Sequence, residues 1–295
     1  MADYVVTCCS TADLSKEHFD KRDLKVIYFH YEVDGVEYLD DCGKSMAPEE
    51  LFRRMNDGAM TRTSQVSVGE YSACWKEYLD QGKDILHVCL SSGISGTYQS
   101  AKIACDMLKA EYPDRTIHVV DSLAASSGYG LLMDAIADKR DEGMSLEELY
   151  QWSEENKLRL HHWFFTSDLT FFIRGGRVSK TAGMIGKVLN ICPLLNVDFK
   201  GALTPREKIR GKKAVIRRTF EKMKEHVENG MDYAGKCYMS HSLCLEDAQM
   251  LAQMIEEGFT KLNGKVEINP IGATIGSHTG PGTVALFFWG DKRED

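Results

Sequence analysis

Residues 84–113 read DILHVCLSSGISGTYQSAKIACDMLKAEYP, and this stretch decides the architecture. ILHVCL, from Ile85 to Leu90, is a short apolar run of the kind that forms a strand buried on both faces. From Thr97 the apolar positions recur at helical intervals as far as Pro113. Between the two lies a loop carrying Ser91, Ser92, Gly93, Ser95 and Gly96. Strand, hydroxyl-rich loop, helix is the unit from which open parallel sheets are built, and their ligands sit at such loops.

The same rhythm extends outward. YVVTCC (4–9), KVIYFHYEV (25–33) and IHVVD (117–121) are predicted strands. PEELFRRMND from Pro48, VGEYSACWKEYLDQG from Val68 and the run from Gly128 to Glu142 are predicted helices. Pro48 suits a first helical turn and Gly82 the end of one. This alternation predicts a parallel sheet with right-handed crossovers. A further helix, SLEELYQWSEENKLRL, opens with Ser145 and Glu148 in a capping-box pattern.

After residue 160 the texture changes to glycine and aromatics, with no sustained helical period until about residue 184. Helices follow in KKAVIRRTFEKMKEHVENG and LEDAQMLAQMIEEGFTKL, and strands in KCYMSH, VEINPIGATIG and VALFFWG. GSHTGPG (276–282) is read as a loop joining the last two strands. The expected fold class is therefore α/β in two domains: residues 1–160 around a parallel sheet flanked by helices, and residues 161–295 around a mixed sheet. A length of 295 residues with 43% hydrophobic side chains can supply two cores.

Composition narrows the function. A net charge of −8 argues against a nucleic-acid partner or a polybasic membrane surface. KIRGKK (208–213) and IRRTF (216–220) are local exceptions, read as a solvated turn and helix face. No stretch reaches the roughly 18 apolar residues of a membrane span, and the first residues lack the pattern of a signal peptide. A cytoplasmic protein is expected. The nine cysteines are irregularly spaced, which predicts reduced thiols acting as small hydrophobes. No CxxC or HxxxH spacing occurs, so neither a metal nor another cofactor is expected.

Four loops share a chemistry. Besides the loop at Ser91–Thr97, MTRTSQVS (60–67), DSLAASSGYG (121–130) and GSHTGPG are rich in hydroxyls or glycine at predicted strand ends. Free amides at a helix start, with Ser and Thr donors nearby, suit a carboxylate or phosphate. Each feature also has a plain structural explanation. Ser95 or Thr97 can simply cap its own helix, and His278 can stabilise a turn. In LTFFIRGGRVS (169–179), Phe171, Phe172 and Ile173 can fill a core while Gly175 and Gly176 make a turn.

Familiar catalytic signatures fail. The hydrolase elbow G-x-S-x-G needs glycine at position 97, where Thr97 stands. A phosphate-binding P-loop ending in GKS needs glycine at position 38, where Tyr38 stands. What remains is an anion pocket without a visible catalyst.

TSQVS, SSGISGTYQSA, the DS of VVDS, LTFFIRGGRVS, the ICPLL…KIR run and IGSHTGPG, in this order, resemble the DegV family over essentially the whole chain. The resemblance implies a protein that holds one long-chain fatty acid (about C14–C18) between its domains. That protein is the non-catalytic lipid-binding subunit of bacterial fatty acid kinase. A separate ATP-using subunit phosphorylates the bound fatty acid, and the binding protein carries the acyl phosphate onward. Transient contact with an acyltransferase or a membrane fits that role.

Carried over by motif, Thr63 and Ser95 are the carboxylate-binding hydroxyls. Ser64, Gly96 and Thr97 line the head group, and Arg210, His278 and Thr279 stand at the same end. Val66 replaces the usual Pro of the first motif, and Cys192 replaces a Lys that commonly precedes Pro193. Candidate walls are Met184, Ile185, Val188, Leu189, Ile191 and Leu194, with Phe171, Phe172 and Ile173. A sixteen-carbon tail offers on the order of 14 methylenes at roughly 0.8 kcal/mol each, about 11 kcal/mol before binding costs, so an apolar tunnel suffices for retention.

A second reading is an enzyme acting on a small phosphorylated or carboxylated metabolite, with His278 as acid–base catalyst. A small polar cavity would favour it, and a long apolar one the lipid. A DNA-binding regulator lacks a basic recognition helix.

Overall fold

The computed structural model describes residues 4–179 and 190–294. The chain opens with β1 (Tyr4–Cys9), α1 (Lys16–Lys21), β2 (Lys25–Ile27), β3 (His30–Val33) and β4 (Val36–Leu39). It continues through α2 (Pro48–Asn56), β5 (Thr61–Ser64), α3 (Val68–Leu79), β6 (Asp84–Cys89), α4 (Thr97–Glu111) and β7 (Ile117–Asp121). Helices α5 (Ser126–Asp141) and α6 (Leu146–Asn156) lead to β8 (Leu160–Phe165), α7 (Thr170–Arg174), β9 (Ile191–Val197) and β10 (Leu203–Arg210). The rest comprises α8 (Lys212–His226), β11 (Tyr238–His241), α9 (Leu245–Gly258), β12 (Glu267–Pro270), α10 (Ala273–Thr279) and β13 (Val284–Trp289).

Among the described residues these strands form three sheets. The first is parallel, in the order β2-β1-β6-β7. The second runs β10-β9-β8-β13-β11-β12, antiparallel except for the β11–β12 pair. An α/β fold with one parallel and one mixed sheet is thus what the sequence rhythm predicts. The third sheet, β4-β3-β5, is small and antiparallel.

The third sheet was not expected. KVIYFHYEV reads as one strand, but it splits: Lys25–Ile27 pairs with β1, and His30–Val33 changes sheet. Both pieces carry the same β-prone composition, and the break is made from outside, where the Phe29 N–H donates to Ser10 Oγ at 3.1 Å. VEINPIGATIG is also shorter as a strand than its composition suggests. β12 stops at Pro270, which lacks a backbone donor, and His278 lies on helix α10 rather than in a loop. The helix starts because the Asp40 carboxylate, more than 200 residues away in sequence, accepts from the N–H groups of Ala273 and Thr274, both at 3.2 Å. No local reading can see that cap.

Other local signals are realised directly. Ser145 Oγ accepts from the Glu148 N–H, and the Glu148 carboxylate accepts from the Ser145 N–H at 2.9 Å. Helix α5 is buried along most of its length and packs on β8, β11 and β13 of the second sheet, while its Tyr129 hydroxyl accepts from the Cys9 N–H of β1 at 2.9 Å and donates to Val88 O of β6 in the first. Its Asp134 ties the halves together, accepting from Tyr238 at 3.1 Å and pairing with Arg22 at 3.0 Å and with Lys236. One core accordingly runs from β1 through α5 to Phe164 and Phe287, while a second lies under α8 and α9.

Candidate functional site

A cavity of about 150 Å³ lies where the three sheets meet. Phe29, Leu90, Ile94, Phe164, Phe172 and Val197 make most of its wall apolar. Thr63, His278 and Arg177 are joined by short contacts at one end, and Ser95 lines the same cavity.

Each is set in place by a different element. Thr63 lies on β5 opposite Tyr31, and Ser95 precedes α4. His278 occupies the last turn of α10. Arg177 follows α7, where its N–H donates to Phe172 O at 3.0 Å. Gly175 lets the backbone pass directly under the imidazole, since a Cβ there would lie 2.2 Å from His278 Nδ1.

The hydrogen bonds fix where the protons are. The Arg177 guanidinium donates to Ile94 O at 3.1 Å and to Gly175 O at 2.7 Å, and it reaches His278 Nδ1 at 3.4 Å. Arginine only donates, so Nδ1 is the acceptor and the imidazole proton resides on Nε2. Nε2 lies 2.8 Å from Thr63 Oγ1 and donates to it. Thr63 therefore accepts from His278 and keeps its own proton for the cavity. Burial, with the Arg177 charge second, holds the His278 pKa at about 4, which keeps the ring neutral at physiological pH.

Ser95 has a similar balance. Its Oγ accepts from the Thr97 N–H at 3.2 Å, so its hydroxyl proton is free to be donated. Holding the first amide of α4 and facing the cavity are not alternatives for this side chain; it does both. Two unspent hydroxyl protons beside one guanidinium make an end that suits a monoanion able to accept several hydrogen bonds.

The structure sorts the candidates named above. Thr63, Ser95, His278 and Thr279 line the cavity. Ser64 is exposed on the other face of β5, as strand alternation requires. Gly96 is also exposed, and its bare Cα makes room for Gln65, whose Oε1 would lie 2.5 Å from an added Cβ. Thr97 is fully buried away from the cavity, 2.7 Å from the Tyr71 hydroxyl. Arg210 sits exposed at the end of edge strand β10, opposite Ile191, and outside the cavity lining. The guanidinium at the polar end belongs to Arg177 instead.

Of the candidate walls, Phe172 lines the cavity, whereas Leu194 belongs to the core under α8. Ile173 packs on the main core, and Phe171 lies against Gly280. Ile191 is half-buried at the start of β9. Met184, Ile185, Val188 and Leu189 fall outside the described residues.

Sequence reasoning missed Arg177, Gln65, Ser126, His162 and Thr283, all of which face the cavity. Arg177 was visible in principle as a cation just after the Gly175–Gly176 turn. His162 was not, because LHHWFF reads as an ordinary buried strand. Its Nε2 accepts from the Ala125 N–H at 3.4 Å and its Nδ1–H donates to Leu160 O at 3.2 Å, with the pKa driven well down by burial.

The fold and site define a class: an α/β protein whose sheets meet around a largely apolar cavity that carries a guanidinium and unspent hydroxyls at one end. The family model described as the DegV family matches residues 5–291, and the chain belongs to that family. It is 37% identical over 294 residues to the DegV domain-containing protein CPE0026 of Clostridium perfringens, covering 100% of both chains. A fatty-acid-binding DegV family protein from Thermus thermophilus superposes with a TM-score of 0.87 at 26% identity, over 98% of this chain and 99% of that one. A DegV lipid-binding protein from Thermotoga maritima gives 0.84 at 27% identity, over 100% of both.

Proposed function

We propose that this protein binds one long-chain fatty acid in the cavity, with its carboxylate at Thr63, Ser95 and Arg177. It then presents that carboxylate to a separate ATP-dependent kinase subunit and carries the acyl phosphate onward. The observation that carries this reading is the Arg177–His278–Thr63 relay at the end of an apolar cavity. It leaves a hydroxyl proton unspent where a buried carboxylate needs donors. The described fatty-acid binding of the Thermus relative supports the same ligand.

The metabolite-enzyme reading has less support. Phenylalanine and aliphatic walls offer a sugar phosphate no partners. A histidine whose pKa lies near 4, and whose two ring nitrogens are both engaged, is a poor general base at neutral pH. The chain thus supplies binding and orientation, and the phosphoryl chemistry is left to the partner.

Native mass spectrometry of the purified protein, followed by solvent extraction, tests the ligand. A stoichiometric fatty acid of about C14–C18 is expected. Protein that takes up sugar phosphates but no fatty acid would overturn the assignment. Turnover of the loaded fatty acid with a cognate kinase and ATP then tests the second step.

A further inference from the structure

The absence of CxxC or HxxxH spacing speaks only to ligands close in sequence. The fold brings His161, His226 and Asp291 together from three separate elements. His161 lies on β8, His226 ends α8, and Asp291 follows β13. One donor atom from each lies within 4.8 Å of the others. His161 Nε2 is 2.8 Å from Asp291 Oδ1, and His226 Nδ1 is 3.4 Å from Asp291 Oδ2.

Backbone bonds hold the three in register. The Gly290 N–H donates to Arg159 O at 2.8 Å, the Asp291 N–H to His226 O at 2.9 Å, and the Arg293 N–H to Leu158 O at 2.8 Å. The final segment is therefore stitched to both neighbouring elements before any ion arrives. His161 is buried and Asp291 exposed, which leaves an approach from solvent and room for water ligands.

We propose that His161, His226 and Asp291 bind one divalent transition-metal ion of the zinc class, with water completing its coordination. Two imidazole nitrogens and one carboxylate, without a thiolate, suit Zn²⁺, Co²⁺ or Ni²⁺, while Ca²⁺ and Mg²⁺ prefer all-oxygen sets. His161 Nε2 donates to the Asp291 carbonyl oxygen at 2.9 Å, so an ion taken there displaces this bond and leaves the ring proton on Nδ1. The nearby Arg293 charge opposes a cation, but its guanidinium is turned to the carbonyls of Val197, Asp198 and Leu123, and Asp291 supplies the compensating carboxylate.

Binding has a structural signature. The two imidazoles stack at 4.9 Å and 19°, and Trp163 continues the stack on His226 at 5.6 Å and 17°. Metal–nitrogen bonds of about 2.1 Å require the rings to converge, so His226 must tilt out of the stack and change the environment of Trp163. The ion would clamp the C-terminal segment to β8 and α8, next to the point where Arg293 bridges Leu123 and Val197.

The test is titration of the tag-free, full-length protein with Co²⁺ and Zn²⁺, read by visible absorption and tryptophan fluorescence. One equivalent is expected, with ligand-field bands, no thiolate charge-transfer band, and a fluorescence change absent in Trp163→Phe. His226→Gln and Asp291→Asn, both reaching solvent, should fold normally and each weaken binding at least about tenfold. No binding, a thiolate band, or unchanged affinity in both variants would overturn the site. None of these results depends on what fills the cavity.

Discussion

The cavity has two polar regions, and they use their hydroxyls in opposite ways. Ser126 faces the cavity, but its proton goes to Asp13, and Ser240 Oγ lies 2.9 Å away as its donor. Nearby, Asp40 spends its oxygens on the first N–H groups of α10. At the far end of the same helix, Thr63 and Ser95 accept protein hydrogen bonds and keep their own protons. A polar group whose hydrogen bonds close within the protein holds the fold. One with a donor left over is placed for a ligand.

Substitutions at the two ends should therefore separate stability from binding. The largest effect is expected for Asp40→Ala. It removes the acceptor for two buried N–H groups, and should cost about 2 kcal/mol, read as a lower urea midpoint with an unchanged m-value. Burial raises the Asp40 pKa, so part of the loss is offset by removing a poorly solvated carboxyl. Because α10 carries His278, fatty-acid retention should fall as well. A variant of normal stability would erase the distinction between the two ends.

Thr63→Val should show the reverse pattern. The shape is kept and the donor is lost, so fatty-acid affinity should drop about tenfold, near 1.4 kcal/mol. The melting temperature of the ligand-free protein should move by only a few degrees. Competition with a fluorescent fatty acid measures the first quantity and calorimetry the second. Equal affinity in wild type and variant would remove Thr63 from the head-group end.

How much of this was legible depends on where each cause lies. Ser95 could be read because the strand, the loop and the helix that place it are contiguous in the sequence. The α/β alternation was legible for the same reason. Arg177 could not be separated from Arg210, since both follow short motifs and only the place of each in the fold, one half-buried at the cavity and one exposed on an edge strand, distinguishes them. Helix α10 was hidden because Asp40 starts it from a distant element. The histidine pair at β8 and α8 was hidden by the same kind of distance.

The finest test lies in two adjacent glycines. Gly175 has φ −73° and ψ −9°, a conformation alanine accepts readily. The three nearest atoms to an added methyl all belong to the His278 ring, Nδ1 the closest at 2.2 Å. Gly176 has φ +73° and nothing within 4 Å, so alanine there meets backbone strain and no neighbour. Gly175→Ala should displace the imidazole, loosen the Thr63 contact and weaken fatty-acid binding a few-fold, about 0.5–1 kcal/mol, with stability almost unchanged. Gly176→Ala should cost about 1 kcal/mol of stability and leave affinity alone. If the two variants instead lost binding and stability in parallel, the imidazole would not be the part that positions Thr63, and the unspent proton would lose its cause.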